Sequence, residues 1–202
     1  MPVTLTVYAS SKVLPENLYE STGRPNKRHL QREVAHNTLL QLVSSYTPFH
    51  SSQLTICYHE NGAPFISVDG QAIGYCSISH SCERVLVAFS NDVEIGVDLE
   101  WMRDRNVTEL SEQVLTEKER AVSGALSLQQ FYQVFCAKEA WAKANGKGLL
   151  QALAMDLFVN PDAEEQILPD QGKLVFERFE DNYMAAIYSR AEQSQIKWVA
   201  SK

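Results

Sequence analysis

Three groups of side chains in this 202-residue chain have types and spacings that could do chemistry. In Ile95-Gly96-Val97-Asp98-Leu99-Glu100 a period of two sends the apolar residues to one strand face and Asp98 and Glu100 to the other. Two carboxylates side by side are what Mg²⁺ takes beside substrate phosphates, but a solvated polar face gives the same pattern. In Lys138-Glu139-Ala140-Trp141-Ala142-Lys143, Glu139 and Lys143 share a helix face four residues apart. That pair reads either as an ordinary surface ion pair or, given Phe131, Phe135 and Trp141 around it, as the charged border of a cleft. Arg24, Lys27, Arg28, His29 and Arg32 cluster where a long helix should begin, a position whose dipole disfavours positive charge. A bound anion would relieve the cluster, and a plain basic surface patch is the alternative reading.

Those residues need elements to position them. Strand-like character at 3–9 and 53–58 brackets helical spacing of Leu30, Val34, Leu39, Leu42 and Val43. Asn61-Gly62 and Asp69-Gly70 mark turns around a short strand at 65–68, and strands at 75–79, 84–89 and 93–99 are separated by connections short enough for antiparallel neighbours, a β-meander. Thr116 and Glu119 form a capping box that opens one helix. An apolar stripe from Leu128 to Ala142, stopped by Asn145-Gly146, gives a second helix of about 17 residues. Strands are expected at 157–159, 173–179 and 183–188. The sum is an α+β protein of two similar halves, 1–100 and 101–202, forming one unit.

Composition narrows the function. Hydrophobic residues make up 45% and charged residues 21%, which is ordinary globular usage. A net charge of -7 has the wrong sign for a nucleic-acid binder held by phosphates, so any phosphate must meet a local patch. No apolar run is long enough for a membrane span, the N-terminus lacks a secretory pattern, and four cysteines without Cys-x-x-Cys suit reduced thiols, so a cytoplasmic address is expected. Gly146-Lys147-Gly148 follows a helix and is not a P-loop.

Taken in order, ISHS at 78–81, IGVDLE at 95–100 and FCAKEAWAKANGKGL at 135–149 resemble the Sfp-type 4'-phosphopantetheinyl transferases. The resemblance implies two α+β halves with the site between them. It implies transfer of the 4'-phosphopantetheine arm of coenzyme A to a serine of an apo acyl or peptidyl carrier protein, releasing adenosine 3',5'-bisphosphate. By the same resemblance Asp98, Glu100 and Glu119 match metal ligands for Mg²⁺ or Mn²⁺, Glu139 the base toward the serine, and Lys143 the cation on the pyrophosphate. Lys138, Ser79, His80, Arg24, Arg28 and Arg32 match coenzyme A contacts, and a monomer is implied. Gly62-Ala63-Pro64 departs from the family's Gly-Lys-Pro and lacks its basic residue. The acidic net charge leaves carrier docking to a local surface, expected between Arg103 and Val122. Two alternatives accompany this reading: a metal-dependent nucleotide or pyrophosphate hydrolase, and a carrier-binding module without turnover.

Overall fold

A computed structural model describes residues 5–15, 24–179 and 182–200, with the side chains of residues 24 and 25 outside the description. Strand β1 (Thr6–Val13) places Val7 and Ala9 in the core. Helix α1 (Arg24–Tyr46) buries Ala35, Leu39, Leu42 and Val43, a helical stripe that packs on strand β6 (Arg84–Ser90). Strands β2 (Thr55–Tyr58), β3 (Pro64–Val68) and β4 (Gln71–Ile73) form a small antiparallel sheet. Its β3–β4 turn is Asp69-Gly70 with both φ positive, 49° and 81°, the backbone that a two-residue hairpin selects.

Two four-stranded sheets carry the rest. The first has the order β11-β1-β6-β5, with β5 (Tyr75–Ser81) at one edge and β11 (Gln195–Trp198) parallel to β1 at the other. The second has the order β7-β10-β9-β8, from β7 (Ile95–Trp101) through β10 (Tyr183–Ser189) and β9 (Lys173–Phe179) to β8 (Glu165–Ile167). Val7, Leu86 and Ala88 of the first sheet meet Val97, Leu99, Ala185 and Ile187 of the second in one apolar layer. Helices α2 (Val107–Val114), α3 (Glu117–Ser123), α4 (Leu128–Ala144) and α5 (Leu149–Leu153) follow β7, and α4 lies across β7 and β10.

The α+β class and the period-two reading of β7 hold, because Ile95, Val97 and Leu99 do enter the apolar layer. The meander is corrected. β5 and β6 pair as expected, but after Ser90 the chain leaves that sheet and β7 joins β10. Residues 157–159 are not a strand, and the strands not expected from the sequence are Gln71–Ile73, the polar segment Glu165–Ile167 and Gln195–Trp198. Because β7 sits in the sheet of later strands while β11 returns to β1, the two sheets exchange strands across residue 100.

The free edges of the sheets, β5 and β7, face each other, and serine hydroxyls rather than a backbone ladder join them. Ser77 Oγ accepts from Val97 N–H (3.0 Å), Ser79 Oγ from Leu99 N–H (3.2 Å) and Ser81 Oγ from Trp101 N–H (3.0 Å). On the face of β7 that carries Asp98 and Glu100, Gly96 lets α4 approach to backbone contact: a Cβ there would overlap the Ala140 carbonyl and lie 2.7 Å from Ala144 N. Because rigid backbone cannot step aside as a side-chain tip can, Gly96→Ala should lower unfolding free energy by about 3 kcal/mol, the upper end of overpacking costs. Chemical denaturation checks this, and an unchanged midpoint would refute the close approach.

Candidate active site

The contact at Gly96 sets the last turns of α4 over the polar face of β7. Lys143 Nζ donates to Asp98 Oδ1 (2.8 Å), to the Val97 carbonyl (2.9 Å) and to Ser79 Oγ (3.2 Å). Asp98 is only 4% exposed, and Ser79 Oγ donates to the same Oδ1 at 2.9 Å. The other carboxylate oxygen, Asp98 Oδ2, is buried without a hydrogen-bond partner among the described residues. Such an orphan is costly unless something absent from the chain completes it.

Charge is concentrated here. Burial, then the negative charge of Asp98, pushes the Glu100 carboxyl up to about 7, against the opposing hydrogen bond from Ser81 Oγ (3.1 Å). Glu139, one turn before Lys143, is likewise raised by burial and by Asp98. Burial works against the ammonium of Lys143, yet Asp98 and Glu139 more than offset it and its pKa rises. Cys136, one turn below Glu139, is fully buried and stays a thiol, raised by burial and by the charges of Asp98 and Glu100.

The basic side of the site comes from α1 and the end of β5. His80 is lowered by desolvation and further by the charges of Lys143 and Arg28, which favours its neutral imidazole and shows that both fields reach it. Arg32, one turn after Arg28, lies with its guanidinium 5.3 Å from the Tyr58 ring centre, and the Tyr58 hydroxyl meets His36 Nε2 at 2.6 Å. Arg24 begins α1, and its side chain lies outside the described residues.

Three of the expected site residues have their polar atoms engaged within the chain. Glu119 and Lys138 are not at the acidic strand but are each other's partners, 2.6 Å apart and 3% and 0% exposed. Glu119 Oε2 also accepts from Thr116 N–H, and Oε1 from Leu157 and Phe158 N–H. Lys138 Nζ also donates to the carbonyls of Leu153 and Met155. Every lone pair and proton that a ligand would need is engaged, so the pair ties α3 and α4 to residues 153–158. Ser79, expected to touch coenzyme A, gives its single proton to Asp98 and both lone pairs to Leu99 N–H and Lys143, leaving none for a phosphate.

Among the described residues no group of three or more His, Cys, Asp or Glu side chains is arranged to enclose a metal ion. Asp98 and Glu100 nevertheless fit an ion that keeps water and substrate oxygens, since Asp98 Oδ2 is orphaned and Glu100 is raised by burial and then by the negative charge of Asp98. A cavity of about 810 Å³ lined by Gln133, Asp162, Glu177 and Arg178 among others includes none of these residues.

The 4'-phosphopantetheinyl transferase superfamily profile matches residues 94–197, from just before β7 to within β11. The chain belongs to that superfamily, and it is an enzyme of the transferase class. It is 29% identical to the Haemophilus influenzae protein named "Putative 4'-phosphopantetheinyl transferase", over 90% of this chain and 80% of that one. It is 31% identical to the 4'-phosphopantetheinyl transferase ffp of Bacillus subtilis, over 65% of this chain and 61% of that one. It is 28% identical to the 4'-phosphopantetheinyl transferase AcpT of Escherichia coli K12, over 73% of each. These likenesses extend the ISHS, IGVDLE and KEAWAK resemblance to most of the chain.

Removing one member of the buried pair strands the other's charge. Lys138→Met should therefore cost about 3–5 kcal/mol of stability, and adding Glu119→Gln should restore part of it. Equilibrium unfolding of the single and double variants reads this out, and a single variant as stable as the parent would contradict the assignment.

Proposed function

We propose that the chain transfers the 4'-phosphopantetheine arm of coenzyme A to a serine hydroxyl of an apo acyl or peptidyl carrier protein. The carrying observation is the convergence of Asp98, with its orphaned oxygen, on Lys143 and Glu139 from one face of α4. The serine oxygen forms a bond to the phosphorus bearing the pantetheine arm. The bond from that phosphorus to the bridging oxygen breaks, and adenosine 3',5'-bisphosphate leaves with the electron pair.

Each residue has a task in that reaction. Glu139, half-buried and raised in pKa, accepts the serine proton as the new bond forms. Lys143 is held by Asp98, Ser79 and the Val97 carbonyl at the rim of the site, where its charge faces the departing phosphate. Arg28 and Arg32 supply the local positive ground that the net charge of -7 denies, and with His80 as a neutral hydrogen-bonding group they would meet the nucleotide phosphates. Asp98 and Glu100 would hold Mg²⁺, which neutralises charge on the diphosphate when bound. Lys138 and Glu119 serve at one remove by fixing α4, from which Glu139 and Lys143 project.

The test is intact mass spectrometry of apo carrier proteins incubated with the chain, coenzyme A and Mg²⁺. A carrier gaining one pantetheine arm supports transfer, whereas coenzyme A cleaved at the same rate without any acceptor would make the chain a hydrolase. Glu139→Gln should slow transfer by roughly 10²–10⁴-fold while leaving coenzyme A bound. Asp98→Ala should abolish the metal-dependent rate, and unaltered turnover in either variant would remove that residue's role.

A further inference from the structure

Serines 77, 79 and 81 of β5 repeat one geometry. Each hydroxyl accepts from the backbone N–H of the residue twenty positions later, namely Val97, Leu99 and Trp101. Ser79 and Ser81 then donate to the carboxylate nineteen positions later, Asp98 Oδ1 at 2.9 Å and Glu100 Oε2 at 3.1 Å. For Ser77 the residue nineteen positions later is Gly96, which offers no side chain. A hydroxyl has one proton and two lone pairs, so the backbone amide fixes the oxygen while the proton remains to fix a neighbouring carboxylate.

The two carboxylates depend on this device unequally. Asp98 is short, buried and also held by Lys143. Glu100 has a longer side chain, and among the described residues Ser81 is its one hydrogen-bond partner. We infer that Ser81 is a positioning residue for the transferase: it holds Glu100 Oε2 so that the other oxygen is presented to a divalent cation. The inference rests on the reading of Asp98 and Glu100 as the cation's ligands. Groups that orient a metal-binding carboxylate typically govern affinity by 10–100-fold. Ser81 thus sets how tightly the ion is held, while Ser77 only seals the seam.

The experiment follows Mn²⁺ binding by electron paramagnetic resonance, with coenzyme A present and no acceptor, so that nothing turns over. Ser81→Ala should weaken Mn²⁺ about 10-fold. Ser81→Thr, which keeps the hydroxyl, should restore binding to within about twofold, and Ser81→Cys, nearly the same size with a weak donor, should fall between. Ser77→Ala loses an equivalent amide acceptor and should bind Mn²⁺ as the parent does. Parental affinity in both Ser81→Ala and Ser81→Cys overturns the inference, as does equal weakening in Ser77→Ala, which would reduce the effect to a loosened seam. If the parent transfers the arm while these variants fail in that way, only the positioning role falls. If the parent neither binds Mn²⁺ nor modifies any carrier, the transferase reading falls with it.

Discussion

A buried strand edge needs acceptors for its N–H groups, and the way β7 obtains them governs the rest of the site. The edge amides of Val97, Leu99 and Trp101 have no neighbouring strand in their own sheet on that side, so they require partners from outside it. A backbone ladder from β5 would consume one carbonyl per amide and leave nothing over. Hydroxyls interposed between the strands accept the same amides and keep a proton each. Where β7 carries a carboxylate, that proton is used on it, and where β7 carries Gly96 it is not. Joining two sheets and orienting two acidic side chains are therefore one arrangement.

Gly96 acts both at the edge and on one face of the same strand. Toward β5 it leaves Ser77 without a carboxylate, and toward α4 it admits the helix to backbone distance. That closeness is what lets Lys143 reach the Val97 carbonyl and Asp98 together, and what brings Glu139 within the field of Asp98. Three carboxylates then share one lysine. Their mutual repulsion, added to desolvation, is visible in the raised Glu100 and Glu139, and a further cation is what such a cluster lacks.

What could be read in advance was local. The alternation of β7, the α4 stripe ending at Asn145-Gly146 and the Thr116 capping box all depend on residues within a few positions of each other, and all appear. The partner of β7 is not local: a short connection after β6 predicts a hairpin, but β7 pairs with β10, some eighty residues downstream, because the apolar layer between the sheets is completed only that way. Residues 157–159 have strand composition, yet the Leu157 and Phe158 amides go to Glu119, and the polar Glu165–Ile167 pairs with β9 without an apolar signature. Glu119 shows the limit most clearly. Its capping role followed from spacing, but that the same carboxylate already binds Lys138 and three amides depends on burial that spacing does not encode. The serine ladder had a visible trace in the period-two serines at 77, 79 and 81, which is the pattern of a strand edge turned toward a partner.

The arrangement also reconciles an acidic protein with anionic substrates. A net charge of -7 repels a diphosphate at long range, but screening over about 8–10 Å makes the last ångströms decisive. There the cations come from separate elements, Arg28 and Arg32 from α1 and Lys143 from α4, with the neutral His80 at the end of β5. Arg28 and Lys143 both lower His80, so their fields overlap at that side chain and an arriving phosphate would meet both. Repulsion among them is relieved by an anion just as repulsion among Asp98, Glu100 and Glu139 is relieved by a cation. A site holding both kinds of unrelieved charge side by side favours a bound pair of opposite sign over either ion alone, and a metal-complexed diphosphate is such a pair.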